Sequence, residues 1–252
     1  MPTLERMQAH PVTPTAAASG RRPGRRGRPA LDRDRIITAA LELIDETGVE
    51  ALSMRSLGKH LGFEAMALYR HVEGREDLLE AVVDRLMSGL ELPPDPDTWQ
   101  EYLKVVAHQV RGLAQQHPRA FPLVATRHPA APWLRPPLRS LDVVEHFLST
   151  LRAQGWSPTG AVEAYQAFSS FLLGYLLLEA ANAGAPTGPS DAPLDEGQSR
   201  TGTSPAVGHD SDTDLSGYPV LRELRPHLEE DRTDAEFAAG LTSVLDRLSN
   251  LK

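Results

Sequence analysis

Residues 52–72 read Leu-Ser-Met-Arg-Ser-Leu-Gly-Lys-His-Leu-Gly-Phe-Glu-Ala-Met-Ala-Leu-Tyr-Arg-His-Val, and this stretch decides the fold. Ser53 suits a helix N-cap, because its hydroxyl can take a free amide proton of the first turn. The helix it opens runs to about Leu61, with Leu57 and Leu61 on one face and Arg55, Lys59 and His60 outward. Gly62 permits a tight backbone turn, and Phe63 plugs back into the core. A second helix spans about 65–72, with Leu68 and Val72 inward at i, i+4 spacing. Glu64 is a poor N-cap by type, so this start is defined only to within a residue or two. Ala65, Met66, Ala67, Tyr69, Arg70 and His71 are left for the outer side and its flanks. Two short helices joined by a glycine turn make a helix-turn-helix, which seats its second helix in the major groove of DNA. In that position Tyr69 can donate to phosphate and Arg70 can reach phosphate or guanine. The small Ala65 and Ala67 allow close approach or contact with a thymine methyl.

Helices are expected on either side. Before the motif, Ile36, Ile37, Ala40, Leu41, Leu43 and Ile44 recur at helical spacing from about Asp32, and Gly48 closes the segment. After it, Gly74-Arg-Glu-Asp-Leu-Leu opens a helix carrying Leu78, Leu79, Val82, Val83 and Leu86, with Arg75 able to hold a phosphate at the positive helix end. Pro93, Pro94 and Pro96 stop that helix by Leu92. No alternating strand follows the motif, which argues against a winged helix.

The net charge of −8 looks unsuited to a polyanion partner until it is resolved along the chain. Residues 20–35 hold seven arginines against Asp32 and Asp34, a local balance of +5, while acidic residues gather in 191–214 and 229–236. Residues 1–19, rich in Pro, Thr and Ala without period, read as disordered. In the arm that follows, Arg26-Gly-Arg28-Pro has the composition of a minor-groove binder, with Arg26 and Arg28 lying in the groove. A solvated tail attracting phosphate without specificity is an equal reading.

The second half is also helical by pattern. Thr98-x-x-Glu101 is a capping box, and Trp99, Leu103, Val106, Val110 and Leu113 give its helix an apolar stripe. Leu134, Leu138, Leu141, Val144, Phe147, Leu148 and Leu151 make another, stopped by Gly155 and Pro158. A helix over 159–183 is apolar over most of its circumference from Phe168 onward and must be covered on several sides. Residues 185–217 read as a disordered loop, and Phe237, Leu241, Val244, Leu245 and Leu248 mark a final amphipathic helix. The longest apolar run, residues 168–181, contains Glu179 and is too short for a bilayer of roughly 30 Å. The N-terminus does not resemble a secretory signal, so a soluble cytoplasmic protein is expected. The chain has no cysteine, hence no disulfide and no thiolate chemistry. His108, His117, His128 and His146 lack metal spacing, and neither a phosphate loop nor a nucleophile elbow appears, so no enzyme, metal or cofactor is expected.

Residues 32–90 resemble the DNA-binding domain of the TetR family of repressors. The marks are Leu68-Tyr69-x-His71, the glycine seven residues before the tyrosine, and the Gly74-Arg-Glu-Asp-Leu-Leu helix opening. The segment 98–103 (Thr-Trp-Gln-Glu-Tyr-Leu), 151–157 and 171–174 resemble the regulatory domain of the family's tetracycline repressors. The resemblance implies an all-α fold: a basic arm over 1–31, a three-helix helix-turn-helix domain over 32–92, and a helical regulatory and dimerisation domain over 97–252. It implies a homodimeric repressor on a pseudopalindromic operator, released by a small-molecule ligand. By family position, the DNA-facing residues are Met54, Arg55, Ala65, Met66, Ala67, Tyr69, Arg70, His71 and Arg75. Ala65, Met66, Ala67 and Arg70 depart from the polar, proline and tryptophan side chains of the tetracycline repressors, so a different operator is expected.

The family pairs two long helices across its dimer, a role that suits 159–183 and 233–249. Phe171, Leu172, Tyr175, Leu178, Leu241, Val244 and Leu248 are then interface candidates, unless they only fill the monomer's core. The tetracycline repressors hold a magnesium chelate through histidine and glutamate, with amide side chains on the drug. Val124 stands at the histidine position, Val106 and Phe147 at the amide positions, and Glu179 is one residue out of step. Valine and phenylalanine cannot coordinate a hard cation that wants oxygen, so tetracycline–magnesium is not expected. An apolar or aromatic ligand, lined by Trp99, Val106, Val110, Val124, Phe147, Tyr165 and Gln166, suits the residues better. An architectural DNA binder without a ligand is the alternative, favoured by a closed, fully packed regulatory core.

Overall fold

The computed structural model describes residues 31–126, 128, 130–185 and 217–252. Arg26, Arg28 and nearly all of the 185–217 segment lie outside them. Nine α-helices and two short 3-10 turns make up the regular structure of the described residues.

Local capping accounts for most helix starts. Helix α1 (Arg33–Thr47) opens at Asp32, whose carboxylate accepts from the Arg35 amide at 2.8 Å, a cap worth about 1 kcal/mol. It closes at Gly48, whose φ of +89° is in the left-handed region. Helix α2 (Met54–Leu61) has a reciprocal box in which Ser53 Oγ accepts from Ser56 N at 3.0 Å and Ser56 Oγ accepts from Ser53 N at 2.9 Å. Helix α5 (Trp99–Gln116) is capped by Thr98, which accepts from Glu101 N at 3.2 Å. Helix α7 (Pro158–Asn182) has Ser157 as its cap and proline at its first position, where no amide is needed.

Three sequence expectations change. Helix α3 is a single turn, Ala65–Leu68, rather than a helix to Val72. The His71 amide bonds to Leu68 O, three residues back, and the His71 carbonyl turns outward to Arg33. Helix α4 runs Arg75–Ser88. Helix α6 is Leu141–Ala153, so Leu134 and Leu138 fall in the preceding loop. Pro136 and Pro137 interrupt the apolar stripe there, although Leu138 still packs into the core. A further helix, α8 (Pro219–Leu228), precedes α9 (Thr233–Ser249), and none of its residues is buried.

Helices α1, α2, α3 and α4 pack together around Ile36, Ile44, Leu57, Leu68 and Leu78. Helix α7 is the spine of the remainder, against α5, α6 and α9. The apolar run 168–181 therefore belongs to a 25-residue helix that is long and apolar enough to cross a bilayer by length and composition. Its inward side packs on the core through Phe168, Leu172, Leu173 and Leu176, while Glu163, Gln166 and Ser170 face out, the pattern of a core helix. Leu172, Leu241 and Leu248 are buried within this single chain, so their apolar area is covered without a partner. Phe171, Tyr175 and Val244 are half-buried, and Leu178 is exposed.

The two bodies are tied by polar contacts. His117 Nδ1 at the end of α5 meets Asp45 Oδ2 of α1 at 2.7 Å, and Arg139 before α6 pairs with Glu80 of α4 at 3.0 Å.

Candidate DNA-reading face and ligand cavity

The reading face is built on a tight crossing of α2 and α3. Gly62 takes a left-handed conformation (φ +71°), and the Phe63 amide returns to Gly58 O at 2.8 Å. A Cβ at Gly58 would stand 2.8 Å from Phe63 O and 3.2 Å from Ala65 N, so the crossing itself requires glycine at 58. The sequence reading did not single out this glycine, since its constraint comes from a backbone five residues away.

On the outer side the structure brings together Arg55, Met66, Tyr69 and Arg70, all exposed, with half-buried Ala65, Ala67 and His71. Lys59 and His60 extend the basic face. Met66 is 74% exposed, which puts a long apolar side chain on this outer side. Two expected contacts are corrected. Met54 is buried and fills the core beneath α2, so its side chain cannot reach DNA. Arg75 points inward: Nε donates to Leu52 O at 2.9 Å and Nη2 to Val49 O at 3.0 Å. Burial pulls its guanidinium below the ordinary arginine value, while Glu76 and Glu50 pull the other way. Arg75 thus anchors the chain entering the motif and leaves no free fork for a phosphate.

By sequence Arg33 is only one of the seven arginines of residues 20–35. Its guanidinium forms a two-pronged pair with Asp77 (2.7 and 3.0 Å) and donates to His71 O at 2.9 Å. Asp77 also accepts from the Glu73 amide at 2.9 Å. The hydrogen bond from Arg33 is the main cause holding the Asp77 carboxyl below its ordinary range. This cluster fixes the end of the reader turn to α1 and α4. No local signal could have revealed it, because Arg33 and Asp77 are 44 residues apart.

In the regulatory half, Val106, Val110, Phe147 and Tyr165 converge on one cavity, with Met87, Leu138, Phe168 and Ser169 among its other walls. Its volume is about 40 Å³. That is near one water's share of liquid, ~30 Å³, and far below the ~300–1,000 Å³ of ligand pockets. The Tyr165 hydroxyl donates to Pro136 O at 3.0 Å, and burial pushes its pKa up to about 12, so it stays a neutral donor. Three expected lining residues are elsewhere. Trp99 packs edge-on against Trp156 with centroids 5.1 Å apart. Val124 is buried in the 3-10 turn Phe121–Ala125, and Gln166 faces solvent. Helical periodicity could not orient α7, because much of its circumference is apolar.

Glu179, one residue out of step with the glutamate of the tetracycline repressors, is engaged by protein. Arg111, 8% exposed, donates Nη2 to Glu179 Oε1 at 2.9 Å and to Asp234 Oδ1 at 2.7 Å. Gln115 adds a third bond to the same Glu179 oxygen, and the Arg111 guanidinium lies 4.5 Å from the Phe237 ring centroid. These ties join α5, α7 and α9.

Both halves of the chain are similar to known proteins. Residues 36–82 match the model for bacterial regulatory proteins of the tetR family, and residues 92–251 match the tetracyclin repressor-like C-terminal domain. The HTH-type transcriptional repressor DrrR1 of Streptomyces coeruleorubidus is 29% identical over 92% of this chain and 83% of its own length. The class D tetracycline repressor protein of Escherichia coli is 30% identical over 85% of this chain and 88% of its own. Among solved structures, ActR of Streptomyces coelicolor in complex with actinorhodin superimposes with a TM-score of 0.61 at 25% identity, covering 87% of this chain and 96% of ActR. With both halves matched, the chain belongs to the TetR family of bacterial transcriptional regulators.

Proposed function

We propose that this TetR-family repressor acts as a homodimer on a pseudopalindromic operator and is released by a small, largely apolar or aromatic ligand. The observation that carries the DNA reading is the exposed set of Arg55 on α2 with Met66, Tyr69 and Arg70 on the turn whose far side is anchored by buried Leu68. Residues 32–92 supply this face, residues 97–252 the response, and Arg26 and Arg28 of the 1–31 arm add minor-groove or phosphate contacts. Dimerisation uses the outward sides of α7 and α9, where Val162, Gly174 and Leu178 of α7 are exposed. Of the seven earlier interface candidates, Leu178 fits this role best. Work on DNA makes the cytoplasm its site of action.

The ligand reading rests on Val106, Val110, Phe147 and Tyr165 sharing one apolar cavity. At about 40 Å³ the cavity must open to admit a drug-sized molecule, so ligand binding and a change of shape are one event. A relative, ActR, has been solved with actinorhodin, which supports a non-metal effector here.

The same small cavity favours a second reading, a DNA-binding protein with no effector. Genomic fragments recovered on the protein would yield the operator, and the operator complex would then be challenged with apolar and aromatic compounds. Dissociation supports the first reading. Tight binding that no compound in a broad set relieves supports the second, and absence of DNA binding defeats both.

A further inference from the structure

Helix α3 is the single turn Ala65–Leu68. Leu68 is buried and Ala65 and Ala67 are half-buried, so Met66, 74% exposed, is the side chain that this turn holds outward. We propose that Met66 is a specificity residue that reads the C5 methyl of an operator pyrimidine, thymine or 5-methylcytosine, by apolar contact. This role rests on the operator reading above and gives that face its chemistry.

Ala65, Met66 and Ala67 carry no side-chain hydrogen-bonding group beyond the weak thioether acceptor of Met66. In a helix-turn-helix the first residues of the second helix meet the base edges. Bases opposite this turn therefore cannot be told apart by the paired hydrogen bonds that arginine, asparagine or glutamine make. The apolar feature of a base edge in the major groove is the C5 methyl, which thymine carries and cytosine gains on methylation. Glu64, directly before the turn, is exposed, and its carboxylate only accepts. It suits an amino group of cytosine or adenine at a neighbouring base pair.

The surroundings of Met66 favour DNA over an apolar protein face. Arg55, Tyr69 and Arg70 are exposed on the same outer side, and Lys59 extends it. Protein interfaces deplete charge around their apolar centres. A lone methionine among cations instead matches small methyl groups set between phosphates. Its unbranched side chain and polarisable sulfur adapt to such an irregular surface. The turn beneath is held at both ends, by the Phe63 amide on Gly58 O at 2.8 Å and by Arg33 on His71 O at 2.9 Å. The side chain rather than the backbone is left to adjust.

The test takes a genomic fragment bound by the full-length protein and replaces its thymines one at a time by uracil. Uracil lacks the C5 methyl and keeps the O4 acceptor that thymine shows in the major groove. At one position or more in each half-site the replacement is expected to weaken binding about three- to fivefold, the worth of one buried methyl group. Met66→Ala is expected to weaken binding to the thymine duplex by a similar factor and to be indifferent to uracil there, whereas Met66→Leu keeps the sensitivity. With a C·G pair at that position, methylating the cytosine is expected to strengthen binding about three- to fivefold in the parent and not in Met66→Ala. Because Met66 is exposed, circular dichroism and melting should be unchanged in both variants. Sequence-specific binding that is insensitive to uracil at every position overturns the proposal and leaves the operator reading standing, as does a uracil penalty that Met66→Ala retains in full. Binding without sequence preference, or no binding, overturns both.

Discussion

Arg33 and Asp77 face each other across the headpiece at 2.7 and 3.0 Å, and the same guanidinium holds the His71 carbonyl that ends the reader turn. Anchoring of the candidate reading residues thus begins outside the motif itself. Arg33→Ala is expected to lower operator affinity about tenfold, or ~1.4 kcal/mol, while dimer mass is unchanged. Gel-shift titration with light scattering measures both. Full affinity in the variant would show the clamp to be idle. The pair also has a pH signature. Asp77 is held below its unfolded value near ~3.9. Its contribution is therefore complete above that value and lost as pH falls through the lower folded one. Asp77→Asn should remove that part of the acid destabilisation, read by urea unfolding between about pH 5 and pH 2.

Arg75 separates an anchoring role from a DNA contact. Two hydrogen bonds to the Leu52 and Val49 carbonyls from a largely buried guanidinium predict a stability loss of about 2–3 kcal/mol for Arg75→Ala. A phosphate contact would instead weaken DNA binding and its salt dependence at unchanged stability. Urea unfolding beside a salt titration of DNA affinity distinguishes them.

Gly58→Ala should be costly although alanine favours helix. Its Cβ would lie 2.8 Å from the Phe63 carbonyl, and displacing backbone at such contacts costs about 1–3 kcal/mol. Because the shift falls between α2 and α3, operator affinity should fall as well. A variant as stable and as tight as the parent would show that the crossing can relax.

Arg111 and Glu179 form a largely buried ion pair, with the exposed Asp234 as a second partner of Arg111. Glu179→Gln leaves the Arg111 charge less well matched, and breaking such a pair costs about 3–5 kcal/mol where burial is complete. The exposed Asp234 remains as a partner, so the lower end is expected. Magnesium with tetracycline should give no thermal shift in the parent protein, since the Glu179 oxygens already accept from Arg111 and Gln115. A shift of several degrees would mean the cluster opens for the metal.

Phe147 closes the apolar cavity against Tyr165 and Phe168, with ring centroids 5.7 and 5.6 Å away. Phe147→Ala should destabilise by about 3–5 kcal/mol and leave a dry hole. Indole or benzene should then raise the melting temperature of the variant more than that of the parent. Equal responses would place the ligand path elsewhere.

The sequence alone determined the features that depend on neighbours within a turn or two: caps at Ser53 and Thr98, the turn at Gly62, the all-helical class and the family motif around Tyr69. These follow from hydrogen bonds spanning three or four residues, whose partners are adjacent in the sequence. Tertiary structure alone decided which outward residues are free. It turned Arg75 from phosphate to backbone, sank Met54, gave Trp99 to Trp156, and covered Leu172, Leu241 and Leu248 within one chain. Each of those outcomes depends on how far a helix is rotated about its axis. For α7, apolar over most of its length, periodicity marks no single inward side, so only packing against α5, α6 and α9 could set that rotation. The size of the cavity was decided in the same way, by rings from separate helices meeting at Phe147.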